Sequence, residues 1–295
     1  MSLPQTLKFI WNHPLAARRR TASLVDFVRW QIGSRLLSGS FAMPFVNDTR
    51  LLVRRGMVGA TGNIYVGLHE FEDMAFMLHL LRSEDLFVDV GANVGAYVVL
   101  AGAAGARCVA FEPVPATFGA LLDNVRLNGL QRRVRAEMCC VGRAAGRTAF
   151  TTCFDAMNHV LSEHDPAHTD VIDVAVRGLD DVLNGETPIA LKIDVEGFEA
   201  EVLRGAAATL RAETLAAVIL ELNGSGARYD YDESAIHQKM LDAGFKPYRY
   251  EPFQRSMTEM RTAKSTGNTL YVKGIDRVRE RVRHAPAFLV KGISI

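Results

Sequence analysis

Neither sign of charge dominates this 295-residue sequence: 34 Lys and Arg meet 33 Asp and Glu, for a formal net charge of +1. Such a chain has no global field for a polyanion, so nucleic acid is not an expected partner. Cysteine is scarce. Cys108, Cys139, Cys140 and Cys153 form no C-x-x-C pair and are too few for a disulfide scaffold, so a reducing, cytoplasmic setting is expected. Long apolar runs are missing too. The most apolar window, 87–111, is broken by Asp89, Asn93 and Arg107 and cannot supply the ~20 lipid-compatible residues of a membrane span. The start lacks the order of a secretory signal, because Arg18, Arg19 and Arg20 follow the apolar stretch instead of preceding it. A soluble protein is therefore expected. What is present is 48% apolar and 23% charged residues, a balance that can bury a full core.

Residues 1–50 read as a basic, amphipathic helical extension. Leu24, Val28, Ile32 and Leu36 recur every fourth residue, with Val25 alongside and Arg29 and Arg35 off the stripe. Such a helix either docks its stripe on its own domain or makes peripheral contact with an anionic membrane surface, here the inner one. Residues 51–68 read as short β-like segments punctuated by Gly56, Gly59, Gly62 and Gly67, and 69–81 as a helix. Strands at 86–90, 107–111, 134–141, 189–194 and 217–222 then alternate with helices at 94–104, 116–127, 198–210 and 233–243. Strands at 245–250 and 269–273 close the series. This alternation predicts an α/β fold, a doubly wound, mostly parallel twisted sheet with helices on both faces, spanning 51–274. Residues 142–181 interrupt it as an inserted hairpin around a His-containing loop, read as a lid over the acceptor site. Residues 275–295 read as a C-terminal tail.

In open parallel sheets ligands bind beyond the carboxyl ends of the strands. The first strand ends in Asp89-Val90-Gly91-Ala92-Asn93-Val94-Gly95. Its G-x-x-x-G spacing is not the G-x-G-x-x-G whose middle glycine admits a pyrophosphate, although glycine turns also serve structure alone. Asp89 and Asn93 there suit a cationic or hydrogen-bonding ligand. The second strand ends in Phe111-Glu112-Pro113, and an acid about 20 residues after the loop is placed to accept both hydroxyls of a ribose. An adenosine cofactor that carries a cation and no phosphate is S-adenosylmethionine. In Lys192-Ile193-Asp194-Val195-Glu196-Gly197, alternation puts Lys192 and Asp194 on one face, with Asp194 at the strand's end. A structural Lys–Asp ion pair is the simpler reading of the same residues. The fifth strand adds Glu221-Leu222-Asn223 near the same mouth.

The runs FVDVGANVGAYVVLAG, VAFEPVPATFGALLDNVRLNGL, LDDVL, LKIDVEGFEAEVLRGA and VILELN follow one another within about residues 67–223. Together they resemble the FkbM family of S-adenosylmethionine-dependent methyltransferases. The resemblance implies a Rossmann-like class I methyltransferase fold with an antiparallel last strand. It also implies methyl transfer to a hydroxyl of a small-molecule or glycan acceptor: a saccharide, a glycolipid or a secondary metabolite. It would place Asp89, Gly91 and Asn93 at the methionine end of the cofactor, Glu112 on the ribose, Cys140 and Val141 beside adenine, and Asp194 beside the sulfonium.

An alcohol is a poor nucleophile, so a positioned base helps, and Asp194, Glu196, Glu221 and His159 are the candidates. Glu70 reads as a helix cap or a cofactor contact, Asn124 and Asn128 as helix-end hydrogen bonding, and Tyr229, Tyr231 and Phe253 as sugar-stacking or core. No metal is expected: Asp194 with Asn223, and His164 with His168, match magnesium or zinc ligand sets only faintly. Two alternatives stand beside this reading. One is a nicotinamide-dependent oxidoreductase on a similar sheet, disfavoured by the missing middle glycine. The other is a catalytically inactive binding module, for which no lost acidic residue argues.

Overall fold

A computed structural model describes residues 2–154 and 157–295. The chain opens with helices α1 (Leu3–Asn12), α2 (Pro14–Ala17) and α3 (Arg20–Leu36), followed by an antiparallel hairpin, β1 (Ser40–Pro44) and β2 (Arg50–Arg54). Helix α3 does dock on the rest of the protein, but of the predicted stripe only Leu24 packs against the core. Its buried residues are Ser23, Phe27 and Trp30, whereas Val28, Ile32 and Leu36 face outward. Large aromatic surfaces chose the face: Phe27 meets Tyr65 edge-on at 5.1 Å and Trp30 meets Phe41 at 5.7 Å.

Beyond β2, the β-like segments expected up to residue 68 are replaced by helix α4 (Val58–Val66). Gly62, expected as turn punctuation, lies inside it. A Cβ there would come within 2.0 Å of the His69 Nδ1, so this glycine permits close approach of helix and following loop, not a turn.

Helix α5 (Phe71–Leu80) leads into the alternating region: β3 (Leu86–Val90), α6 (Ala96–Ala103), β4 (Arg107–Phe111), α7 (Pro115–Leu127) and β5 (Val134–Glu137). The strand predicted at 134–141 ends early. Its last residues form a separate strand, β6 (Cys140–Val141), which pairs with the insertion instead of the main sheet. The insertion supplies β7 (Gly146–Thr151) and β8 (Val171–Arg177), which pair antiparallel and give a small sheet of order β6-β8-β7. Then come α8 (Leu179–Leu183), β9 (Ala190–Ile193), α9 (Glu199–Gly205), α10 (Ala207–Arg211), β10 (Ala217–Glu221) and α11 (Glu233–Asp242). The chain closes with β11 (Lys246–Glu251), β12 (Ser256–Glu259), β13 (Asn268–Val272), α12 (Ile275–Arg283) and a short hairpin, β14 (Leu289–Val290) and β15 (Ile293–Ser294).

The main sheet has the order β12-β11-β13-β10-β9-β3-β4-β5. Strands β5, β4, β3, β9 and β10 pair in parallel, and β13 lies antiparallel against β10. The chain winds outward from β3 through β4 to β5, then returns to β9 and winds the other way. The sheet thus switches direction between β3 and β9, where crossovers diverge and leave a crevice.

Strand alternation decides which side chains reach it. Phe87, Ala190 and Ile219 face the core formed with α5, α6, α7 and α12, while Val88, Leu191 and Val218 face the core under α8 to α11. Two residues further along each strand, Asp89, Lys192 and Glu221 fall on the first of these faces. Asp89 and Lys192 are direct register partners on neighbouring strands. Among the described residues no helix is long and apolar enough to cross a membrane.

Candidate active site

The carboxyl ends of β3, β4, β9 and β10 open into two connecting hollows of about 600 and 940 Å³. Gly91, Asn93, Asp194 and Glu196 line both, so the two form one cleft. The first hollow is walled largely by apolar side chains, among them Phe111, Val114, Cys140, Val141, Phe150 and Val160. The second is acidic, with Glu70, Asp89, Asp194, Glu196 and Glu221 around Lys192. The loop after β3 can close against the loop after β9 only because of Gly91. Its φ is +84°, and a Cβ there would lie 1.8 Å from the Asp194 carbonyl oxygen. Asn93 and Glu196 adopt left-handed backbone without being glycine (φ +51° and +55°), and both line the cleft. For Glu196 that conformation is strained, and the Arg228 guanidinium holds it by donating to its carbonyl at 2.6 Å.

Glu112 clasps two loops. Its carboxylate accepts from the Asn93 amide at 3.1 Å and from the Val114 amide at 2.9 Å. Burial pushes this carboxyl up to about 7, against the pull of those amides.

Lys192, only 4% exposed, donates to Asp194 Oδ2 at 2.7 Å and sits 4.9 Å from the centroid of the Tyr97 ring. Burial opposes ionisation of Asp194, but the ammonium outweighs it and holds the carboxyl below its ordinary value. Burial likewise opposes charge on Lys192, and Asp194, Glu70 and Asp89 together overcome it. Asp89 is 1% exposed and neither of its oxygens has a hydrogen-bond partner among the described residues. Burial raises it to about 7, with Lys192 pulling down and Asp194 and Glu70 adding to the rise. Glu221 is raised further, to about 9, first by burial and then by the Asp194 carboxylate. At neutral pH it therefore keeps a proton, which it donates to Asp194. Carboxylate oxygens of Asp194, Glu196 and Glu221 lie within 4.8 Å of one another.

All the residues singled out for a cofactor, Asp89, Gly91, Asn93, Glu112, Cys140, Val141 and Asp194, line this cleft, and Asp194, Glu196 and Glu221 converge on its acidic end. Cys140 and Val141 reach it from β6, not from the end of a long third strand. Other expectations change. Asn223 turns to the Ser225 amide at 2.9 Å, away from Asp194. Both ring nitrogens of His159 face partners inside the insertion, the Met157 carbonyl at 2.8 Å and Asp165 Oδ1 at 3.0 Å, so this side chain braces the insertion. Glu70 occupies the N-cap position of α5 without a capping bond. It accepts from the Tyr97 hydroxyl at 2.6 Å and faces the cleft.

Asn124 bridges the Leu52 amide and the Val94 carbonyl, and Asn128 bridges both backbone groups of Arg50, so the pair clamps β2 to α7. Tyr229 donates to the Val160 carbonyl and Tyr231 to Glu201, while Phe253 packs on Phe71 under Arg18, away from the cleft. Sequence reasoning missed Phe150, Asn158, Val160, Phe198, Asn63, His69 and Tyr97 as lining residues. Tyr97 had a signal, its place in the first turn of the helix after the glycine loop. The insertion residues had none.

Known proteins resemble this chain. The chain is 31% identical to Methyltransferase 1 of Beauveria bassiana, over 46% of this chain and 64% of that protein. It is 32% identical to the 31-O-demethyl-FK506 methyltransferase FkbM of Streptomyces tacrolimicus, over 46% of this chain and 65% of that protein. The chain thus spans just under two thirds of the length of these curated relatives. A solved methyltransferase FkbM from Methylobacillus flagellatus KT is 16% identical, with a TM-score of 0.45 over 89% of this chain and 60% of that one. The methyltransferase FkbM domain matches residues 89–247, over half of the sequence, and the protein belongs to that family.

Proposed function

We propose that the protein is an S-adenosylmethionine-dependent methyltransferase that methylates a hydroxyl of a small-molecule acceptor, a saccharide, glycolipid or secondary metabolite. The observation that carries the cofactor assignment is Asp89, a buried carboxyl whose two oxygens have no hydrogen-bond partner among the described residues, aligned with a glycine loop and surrounded by further carboxyl groups. A buried acid without a partner is costly, and a cationic ligand removes that cost. A pyrophosphate would meet the same carboxylates as repulsion, which argues against a nicotinamide dinucleotide.

When bound, S-adenosylmethionine supplies an electrophilic methyl group on a sulfonium, with a neutral thioether as leaving group. Asp89 would hold the amino group of its methionine part and Glu112 its ribose hydroxyls. Val114, Cys140 and Val141 would flank adenine in the apolar hollow. Asp194, kept ionised by Lys192 and by the proton that Glu221 donates to it, would accept the proton of an acceptor hydroxyl. The 31-O-demethyl-FK506 methyltransferase among the relatives supports an oxygen acceptor.

The test is isothermal calorimetry with S-adenosylmethionine, S-adenosylhomocysteine and a nicotinamide cofactor, followed by a methyl-transfer screen over glycans and hydroxylated metabolites. Binding of the first two and transfer to a hydroxyl are expected. Binding of the nicotinamide cofactor alone, or turnover confined to peptides or nucleic acid, would overturn the assignment.

A further inference from the structure

We propose that the outward face of α1 and α3 docks on an anionic membrane surface. Helix α3 is fastened to the protein along one side only, by Phe27 and Trp30 and by a hydrogen bond from Gln31 to the Tyr65 hydroxyl at 3.0 Å. On the opposite side Val25, Val28, Ile32 and Leu36 fall within about 80° of one another on a helix of ~100° per residue. All four are exposed, Ile32 by 54% and Leu36 by 76%. Arg29 and Arg35 flank this stripe, one to each side of it. Helix α1 carries a second stripe at the same spacing, Leu3, Leu7 and Trp11, also exposed, with the Arg20 guanidinium 4.8 Å from the Trp11 ring centroid. Two helices that needed only to face water would not place seven apolar side chains between them there.

Charge selects the partner. Residues 1–37 hold six Lys and Arg (Lys8, Arg18, Arg19, Arg20, Arg29 and Arg35) against one acid, Asp26, which leaves 28 against 32 in the rest of the chain. Asp26 is already neutralised by Arg19 at 3.0 Å and Lys291 at 3.1 Å. Apolar stripes bordered by arginine, with a tryptophan at one end, fit the boundary between anionic headgroups and acyl chains. A second copy of the chain fits worse, because a two-fold contact would set this positive face against itself. The face is one helix away from the cleft, since α3 packs on α4 and Asn63 of α4 lines the acidic hollow. Docking would therefore bring the cleft close to lipid-linked molecules.

The full chain should sediment with vesicles of phosphatidylcholine containing about 30 mol% phosphatidylglycerol, and at least about tenfold less with phosphatidylcholine alone or at high salt. The double substitution Val28→Asp with Ile32→Asp should reduce binding to the anionic vesicles by at least about tenfold. Because both side chains are exposed, its thermal midpoint and circular dichroism should match those of the parent. Arg29→Gln with Arg35→Gln, a milder pair that keeps the stripe, should weaken binding and lessen its salt dependence. Absence of wild-type binding, or equal binding by the aspartate variant, would overturn the proposal. So would a wild-type dimer that the aspartate variant turns into monomers, which would make a second copy the occupant.

Discussion

Replacing Asp89 by Asn should make the ligand-free protein more stable and the cofactor complex weaker, and the two effects follow from one feature. Raising that carboxyl from its ordinary 3.8 to about 7 corresponds to a penalty of about 4 kcal/mol on the ionised form. Asparagine carries no such penalty, but its amide enters the same partnerless site and costs about 1–3 kcal/mol. The net gain at pH 8 is then about 1–3 kcal/mol, which for a domain of this size raises the thermal midpoint by several degrees.

The pH dependence is the sharper test. Below about pH 4 the acid is protonated whether folded or unfolded and the penalty vanishes. Between about pH 4 and 7 the penalty grows, because the unfolded chain ionises first, and above about pH 7 it is constant. The stability difference between Asn and Asp should therefore be largest at pH 8, shrink on acidification and reverse between about pH 6 and pH 4.5. The same substitution removes a charge-assisted hydrogen bond worth about 1.5–3 kcal/mol, so calorimetry should show S-adenosylhomocysteine binding about 10–100-fold more weakly. A midpoint difference that is flat from pH 4.5 to 8 would refute the assignment of an unpartnered, ionisable Asp89. Unchanged S-adenosylhomocysteine affinity would refute its role toward the cofactor.

Four further substitutions separate the remaining roles. Glu112→Ala should raise the cofactor KM about tenfold or more in steady-state kinetics and change kcat less, because a ribose contact differs little between ground and transition state; a fall confined to kcat would remove Glu112 from binding. Asp194→Asn keeps the shape, strips the buried Lys192 of its partner, and should lower kcat by about 10²–10⁴-fold at saturating cofactor; weaker cofactor binding with intact kcat would make it a support for the cofactor and no base. Gly91→Ala should abolish cofactor binding and lower the thermal midpoint, since its Cβ falls 1.8 Å from a backbone oxygen at a positive φ; wild-type affinity would show that the two loops need not meet. Across pH, activity should decline above about pH 9 as Glu221 loses the proton it donates, and Glu221→Gln, which cannot ionise, should flatten that alkaline limb.

The parts of this protein that depend on neighbours along the chain were legible in its amino acids alone. Strand and helix periodicities specified β3, β4, β9 and β10 and their crossovers, because parallel strands buried on both faces read as apolar runs bounded by helices. Alternation alone placed Lys192 and Asp194 on one face, and the turn after β3 announced itself through Asp89, Gly91 and Asn93.

What depends on distant contacts emerged with the fold. Aromatic packing on Tyr65 and Phe41 chose Phe27 and Trp30 as the docked side of α3, turning outward a stripe whose spacing suited either face equally. Gly62 served close approach to His69, which no local pattern distinguishes from a turn. The insertion drew Cys140 and Val141 away from β5 and supplied Phe150, Asn158 and Val160 to the cleft wall, through the pairing of Cys140 with Val176 and of Val141 with Arg177, far along the chain. The charge state of the site was decided in the same way. Asp89, Asp194 and Glu221 are all plain carboxylic acids, and whether each is held low or pushed high follows from burial, from the Lys192 ammonium and from the neighbouring carboxylates that the fold sets among them.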